Sequence, residues 1–153
     1  MFTEYRIDFQ DGLEGWISVE LVYSGCNRAI GGNPCPGCHN GWLWPHFTGT
    51  FVCRREFNEW LGKLARTGWK PSGIVITGGE PLDQDAEEGL FDIDMVEKAF
   101  GTELPILVYT GYEWDESLLD HPLVKVADYL KCGPYKPDVP KKLVKAGDRH
   151  DDR

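Results

Sequence analysis

The chain has 153 residues, 41% of them hydrophobic and 12% aromatic, enough for one domain with a real core. Its net charge of −9 excludes a general phosphate-backbone binder, which needs a basic surface, and fits a protein or small-molecule partner. No apolar run approaches the ~20 residues of a membrane span, and Met1 to Asp11 is too charged for a secretory signal, so the expected compartment is the cytoplasm.

In chain order, Thr3 to Phe9 reads as a first strand or a lead-in. Ile17, Val19, Leu21 and Tyr23 alternate with Ser18, Glu20 and Val22, the period of a strand, which ends at Ser24-Gly25-Cys26. A stretch rich in Gly, Pro and Asn runs from there to about Val52 and is expected to be irregular. A loop of that length inside a compact domain is usually functional or disordered, and its aromatics and cysteines argue for functional. Arg54 to Thr67 reads as a helix with Phe57, Trp60, Leu61 and Leu64 on one face and Gly68 as its stop. Gly73 to Thr77 is a short buried strand halted by Gly78-Gly79. A helix is expected from an N-cap at Asp92 to Phe100, with Ile93, Val96 and Phe100 inward. Pro105 to Tyr109 is a further apolar strand halted by Thr110-Gly111. A short helix follows at Asp115 to Asp120, and a last strand at Tyr129 to Cys132. After Pro134 the chain is rich in Pro and Lys and is expected to be irregular. Residues 1–140 are expected to form a single domain, and residues 141–153 a flexible tail.

Strands alternating with helices imply an α/β fold with a parallel sheet. In such sheets the chemistry gathers at the C-terminal strand ends. Three motifs follow three strands: Ser24-Gly25-Cys26, Thr77-Gly78-Gly79-Glu80 and Thr110-Gly111-Tyr112. They are expected to converge on one edge as a single site.

Five cysteines in an apparently cytosolic chain make poor material for a disulfide framework. Cys26, Cys35 and Cys38 fall within thirteen residues, with spacing C-x8-C-x2-C, and can hold three corners of a metal centre. Thiolates serve both iron–sulfur clusters and zinc. Zinc requires a fourth ligand, for which Cys53, His39 and His46 are available. A four-iron cluster with three cysteines keeps one iron open for an external ligand. A redox pair at Cys35-Pro36-Gly37-Cys38 is a third reading, although such a motif normally opens a helix soon after a strand. Cys53 and Cys132 read as buried small residues. Glu80, beyond two glycines that allow close backbone approach, can accept a hydrogen bond from a ligand ammonium group.

Taken in this order, the segments resemble the radical S-adenosylmethionine superfamily, and within it the activating enzymes of anaerobic ribonucleotide reductase. The resemblance rests on Ser24 to Cys26, on Cys35 to Cys38 with Asn40, on Gly78 to Leu82, and on Thr110 to Tyr112. It covers roughly Asp8 to Tyr135. Two departures stand out: the first cysteine gap has eight residues instead of three, and Cys132 stands where an Asp is usual before Gly133.

The resemblance implies a small partial (βα) barrel with a mostly parallel sheet, open on one side. Cys26, Cys35 and Cys38 would ligate a [4Fe–4S] cluster whose fourth iron chelates S-adenosylmethionine. Gly78, Gly79 and Glu80 would line the methionine end, and Gly37 and His39 would lie near the adenine. One-electron reduction, from a donor such as flavodoxin, would yield a 5′-deoxyadenosyl radical. That radical would abstract hydrogen from a glycine of the large subunit of anaerobic ribonucleotide reductase. No residue beyond the cluster and cofactor is assigned a catalytic role, and neither nucleic acid nor membrane is expected as a partner. Trp42, Trp44 and Phe47 either seal the cluster loop or pack locally. Two other readings remain at this point: a small-molecule radical enzyme of the carboxy-deazaguanine synthase type, and a zinc-binding module without catalysis.

Overall fold

The computed structural model describes residues 2–47 and 52–147, with Phe2 described by its backbone alone. Among the described residues, six strands build one sheet whose spatial order follows the chain, β1-β2-β3-β4-β5-β6. The strands are β1 (Phe2–Asp8), β2 (Ser18–Tyr23), β3 (Ile74–Gly78), β4 (Ile106–Tyr109), β5 (Tyr129–Cys132) and β6 (Lys142–Lys145). β2 to β5 are parallel, and β1 and β6 run antiparallel at the two edges.

The helices are α1 (Asn27–Ile30), α2 (Arg54–Arg66), α3 (Ala86–Phe100) and α4 (Pro122–Lys125), with 3-10 turns at Gly41–Leu43, Pro81–Asp83 and Glu116–Asp120. α2 packs on α3 and α3 on α4. The sheet register puts Leu21, Ile76, Val108 and Leu130 in one row, and this face builds the main core with Phe57, Leu61, Ile93 and Val96. Tyr5 of β1 joins it against Phe57 and Trp60, with ring centroids 4.9 and 4.7 Å away. The opposite face carries Glu20, Val22, Thr77 and Tyr109, which line a cavity of about 690 Å³. A sequential parallel sheet with helices on one face and a cavity on the other is the expected small partial (βα) barrel. Among the described residues no helix is long and apolar enough to cross a membrane.

Two elements differ from the sequence reading. The helix expected from Asp92 starts at Ala86, capped by Asp85, whose carboxylate accepts the Glu87 N–H at 2.9 Å. Glu87 and Glu88 then favour the positive helix start. Asp92 instead lies fully buried in the middle of α3, accepting the Tyr23 hydroxyl at 3.0 Å and facing the Arg54 guanidinium at 3.4 Å. Burial pushes its carboxyl up to about 6, opposed by those two partners.

The flexible tail expected from residue 141 also requires correction, because Lys142–Lys145 pair with β5 as β6. Val144 packs on the core and Ala146 is buried, while the flanking lysines suit an exposed sheet edge. Residues 148–153, the remainder of that expected tail, lie outside the described residues.

Candidate active site at the strand ends

The three motif loops meet where β2, β3 and β4 end. Gly78 closes β3 at φ +130°, and a Cβ there would stand 2.0 Å from the Tyr23 carbonyl oxygen. A Cβ on Gly79 would stand 2.5 Å from the carbonyl oxygen of Gly25. The two glycines therefore let the β3 turn lie directly on the start of the cysteine loop. Hydrogen bonds fasten that approach: Glu80 N–H to the Gly25 carbonyl at 2.7 Å, Gly25 N–H to Leu43 at 2.7 Å, and Cys26 N–H to Trp44 at 2.9 Å. Asn40 donates its side-chain amide to the Gly78 carbonyl at 3.0 Å, and Gln84 donates to both Gly25 and Glu80 carbonyls at 3.0 Å.

Asp83 joins all three loops. One oxygen accepts the Asn27 N–H at 2.7 Å, immediately after Cys26, and the other accepts the Tyr112 hydroxyl at 2.5 Å. That bond is the main cause holding the Tyr112 phenol well above its ordinary range. The enlarged first cysteine gap is thus anchored at its first residue to a turn outside the loop. Its interior carries α1, and the Gly41–Leu43 turn follows the last cysteine. Both are short helical elements in a segment expected to be irregular.

Glu80 is buried at the centre. Its carboxylate accepts the Gly111 N–H at 2.6 Å, the Thr110 hydroxyl at 2.8 Å and the Leu82 N–H at 3.1 Å. Burial raises its pKa, and those three donors oppose the shift. Its first role is therefore internal, tying the β3 turn to the β4 turn.

Cys26, Cys35 and Cys38 are free, partly exposed thiols that line the cavity, together with His39, Gly78, Gly79 and Glu80. Burial pushes the Cys26 thiol up, and Glu80 and Asp83 add to the shift. His39 meets the Tyr135 hydroxyl through Nε2 at 2.9 Å. Gly37, at φ +68°, is not among the residues lining the cavity and faces Tyr135 and Pro137. Cys132 is buried in the core as read, whereas Cys53, also read as buried, is exposed at the N-cap of α2. Trp42 and Trp44 line the cavity, whereas Phe47 is exposed and does not.

The cavity floor was not marked by any motif. Glu20 is fully buried and receives the Arg6 guanidinium. Tyr109 donates its hydroxyl to the Asp11 carbonyl at 2.7 Å, and Lys131 donates to the Tyr109 oxygen at 2.8 Å. Desolvation, helped by the Asp11 carboxylate, holds the Glu20 carboxyl up at about 8 against the pull of Arg6. An unfolded glutamate titrates near 4.3. Between that value and about 8 the folded chain keeps a proton that the unfolded chain releases, so this group lowers stability as pH rises through the window. Glu20→Gln is expected to raise Tm more at pH 8.5 than at pH 5. Thermal unfolding at both values measures this, and an equal shift at the two would refute the buried proton.

The sequence carried one cue to Glu20. A parallel strand is buried on both faces, so a carboxylate in mid-strand needs a partner there. Lys141, also on the cavity wall, had no cue, because it lies in the segment read as tail.

Comparison with known proteins adds family and fold. A family described as a 4Fe-4S single cluster domain matches residues 14–147. The anaerobic ribonucleoside-triphosphate reductase-activating protein of Enterobacteria phage T4 is 28% identical over 94% of this chain and 86% of its own length. Proteins of the same name from Haemophilus influenzae and Escherichia coli K12 are 30% and 31% identical, each over 63% of this chain and 59% of theirs. The crystal structure of QueE from Escherichia coli superposes with a TM-score of 0.52 at 18% identity, covering 89% of this chain and 60% of that one, a likeness of fold.

Proposed function

The chain belongs to the 4Fe-4S single cluster domain family, and from that premise we propose that it is a radical S-adenosylmethionine enzyme that activates anaerobic ribonucleotide reductase. One observation carries the reading: among the described residues, three free cysteines line one cavity with a Gly-Gly-Glu turn packed directly on their loop.

The residues suit the group. Cys26, Cys35 and Cys38 supply three soft thiolates for a [4Fe–4S] cluster, leaving one iron for S-adenosylmethionine. A cavity of about 690 Å³ lies within the usual ~300–1,000 Å³ range of small-molecule sites. A cluster held by Cys26, Cys35 and Cys38 would supply one-electron reductive cleavage of S-adenosylmethionine, the chemistry needed to remove a hydrogen atom from a glycine of a protein substrate. The zinc-module reading gives way to the family match.

The chain's own groups hold and shield this chemistry. Gly78 and Gly79 line the cavity with bare backbone and would face the methionine end. Glu80 fixes that turn against Thr110 and Gly111. Asp83 and Gln84 hold the start of the cysteine loop on the same frame. Trp42 and Trp44 add aromatic surface to the cavity lining. His39, held by Tyr135, would offer its ring to the adenine.

The partner is the large reductase subunit, the electron donor a one-electron carrier such as flavodoxin, and the compartment the cytoplasm. Anaerobic incubation of the reconstituted protein with reductant, S-adenosylmethionine and the large subunit is expected to give 5′-deoxyadenosine and a glycyl-radical signal on the subunit. Cofactor cleavage without any such signal would reject this partner and leave a radical enzyme of another substrate.

A further inference from the structure

Cys26, Cys35, Cys38 and Glu80 line one cavity, and Asp83 accepts the N–H of Asn27 next to Cys26, so ligating thiolates would gather negative charge here. The lysine and arginine side chains among the described lining residues are Arg6, which meets the Glu4 and Asp11 carboxylates at 3.5 and 3.8 Å, Arg28, which donates Nε to the Asn33 carbonyl at 2.9 Å within the cysteine loop, and Lys141. Its ammonium donates to the Thr110 carbonyl at 2.9 Å and to the Gly133 carbonyl, two neutral acceptors at the ends of β4 and β5. It makes no ion pair among the described residues, and it lines the same cavity as Glu80, Cys35 and Cys38. A mostly buried lysine without a carboxylate partner is costly to keep. Its two carbonyl acceptors fix it in place without neutralising it.

We propose that Lys141 is a fixed positive charge of the cluster site, stationed by the Thr110 and Gly133 carbonyls in the cavity that Cys35 and Cys38 also line, and that it favours the reduced cluster. The inference rests on the function proposed above. Reduction adds one electron, delivered by an external low-potential donor, to a cluster already surrounded by thiolates and Glu80. A neighbouring cation stabilises the added charge, because buried charges interact through a low effective dielectric. Charge and hydrogen bonding around a cluster are known determinants of its potential. β6 thereby becomes part of the site, since it follows directly from Lys141.

The test compares wild type, Lys141→Gln and Lys141→Arg after anaerobic reconstitution, by redox titration monitored through electron paramagnetic resonance without S-adenosylmethionine. Gln keeps an N–H donor for the two carbonyls and removes the charge, whereas Arg keeps the charge. At a fixed donor potential the reduced-to-oxidised ratio of Lys141→Gln is expected to fall about tenfold, equivalent to about 59 mV for one electron. Lys141→Arg is expected to stay within about twofold of wild type. A Gln protein with full iron and an unchanged ratio overturns the proposal, as does an Arg protein displaced as far as Gln. If Gln assembles no cluster although circular dichroism and Tm are unchanged, retention of the cluster by Arg supports a charge requirement, and loss in both counts against it. A wild-type protein that binds no cluster rejects the underlying function as well.

Discussion

Cys35→Ala is expected to fold normally and to lose the cluster. Cys35 is partly exposed and lies in the irregular loop rather than the core, so its removal leaves no cavity among packed side chains. Surface substitutions of that kind usually change stability by about 0.5 kcal/mol or less. The loss of a ligand is different in scale. Substitutions in the second shell of a metal site already cost about 10–100-fold in affinity or activity, and removing a thiolate itself exceeds that. Iron and sulfide content, the visible absorption of the cluster and 5′-deoxyadenosine production should all fall to background while Tm stays within a few degrees of wild type. Cys53→Ala serves as the control, since Cys53 is exposed at the head of α2 and away from the cavity wall. Its cluster should be unaffected. Full iron content in Cys35→Ala, or loss in Cys53→Ala, would move the ligand set away from the three-cysteine loop.

Gly78→Ala has the largest expected effect on folding. The backbone there sits at φ +130°, where an L side chain is strained by about 1–3 kcal/mol. The added Cβ would also meet the Tyr23 carbonyl oxygen at 2.0 Å and the Tyr23 nitrogen at 2.6 Å. Both are backbone atoms of the neighbouring parallel strand, paired with Gly78 in register, and cannot swing aside. Overpacking adds about 1–3 kcal/mol. The total is a large part of an ordinary stability of about 5–15 kcal/mol. The expected result is a fall in Tm of roughly 10 °C or more, or insoluble protein, using about 2–4 °C per kcal/mol for a chain of this size. Gly15→Ala is the comparison, with φ +79° but open space around its Cβ, and is expected to cost only about 1 kcal/mol. Equal effects at the two positions would show that the close β2–β3 approach is not what requires Gly78.

The sequence made the skeleton readable for a physical reason. Apolar runs such as Ile74-Val75-Ile76 and the Phe57/Leu61 stripe are the parts whose burial builds the main core, so periodicity finds them. The three strand-end motifs were readable because glycines and ligand-type side chains stand at turns. Less visible were contacts made across the chain. Asp92 looks like an N-cap in sequence, yet it is buried against Tyr23 and Arg54 from distant segments. Asp83 reads as one acid in an acidic run until Asn27 and Tyr112 are seen to donate to it. β6 was masked by its lysines, since an edge strand needs little hydrophobic pattern on its open side. Lys141 follows the same logic: nothing local marks it, and its place is set by two carbonyls 31 and 8 residues away.

The central claim is that Cys26, Cys35 and Cys38 hold a cluster with one iron left open for S-adenosylmethionine. The most direct measurement is the electron paramagnetic resonance spectrum of the anaerobically reconstituted, reduced protein, recorded with and without that cofactor. The account expects a [4Fe–4S]⁺ signal that changes when S-adenosylmethionine is added and that is absent from Cys35→Ala. About one zinc per chain with no cluster signal, or a cluster signal indifferent to the cofactor, would contradict it.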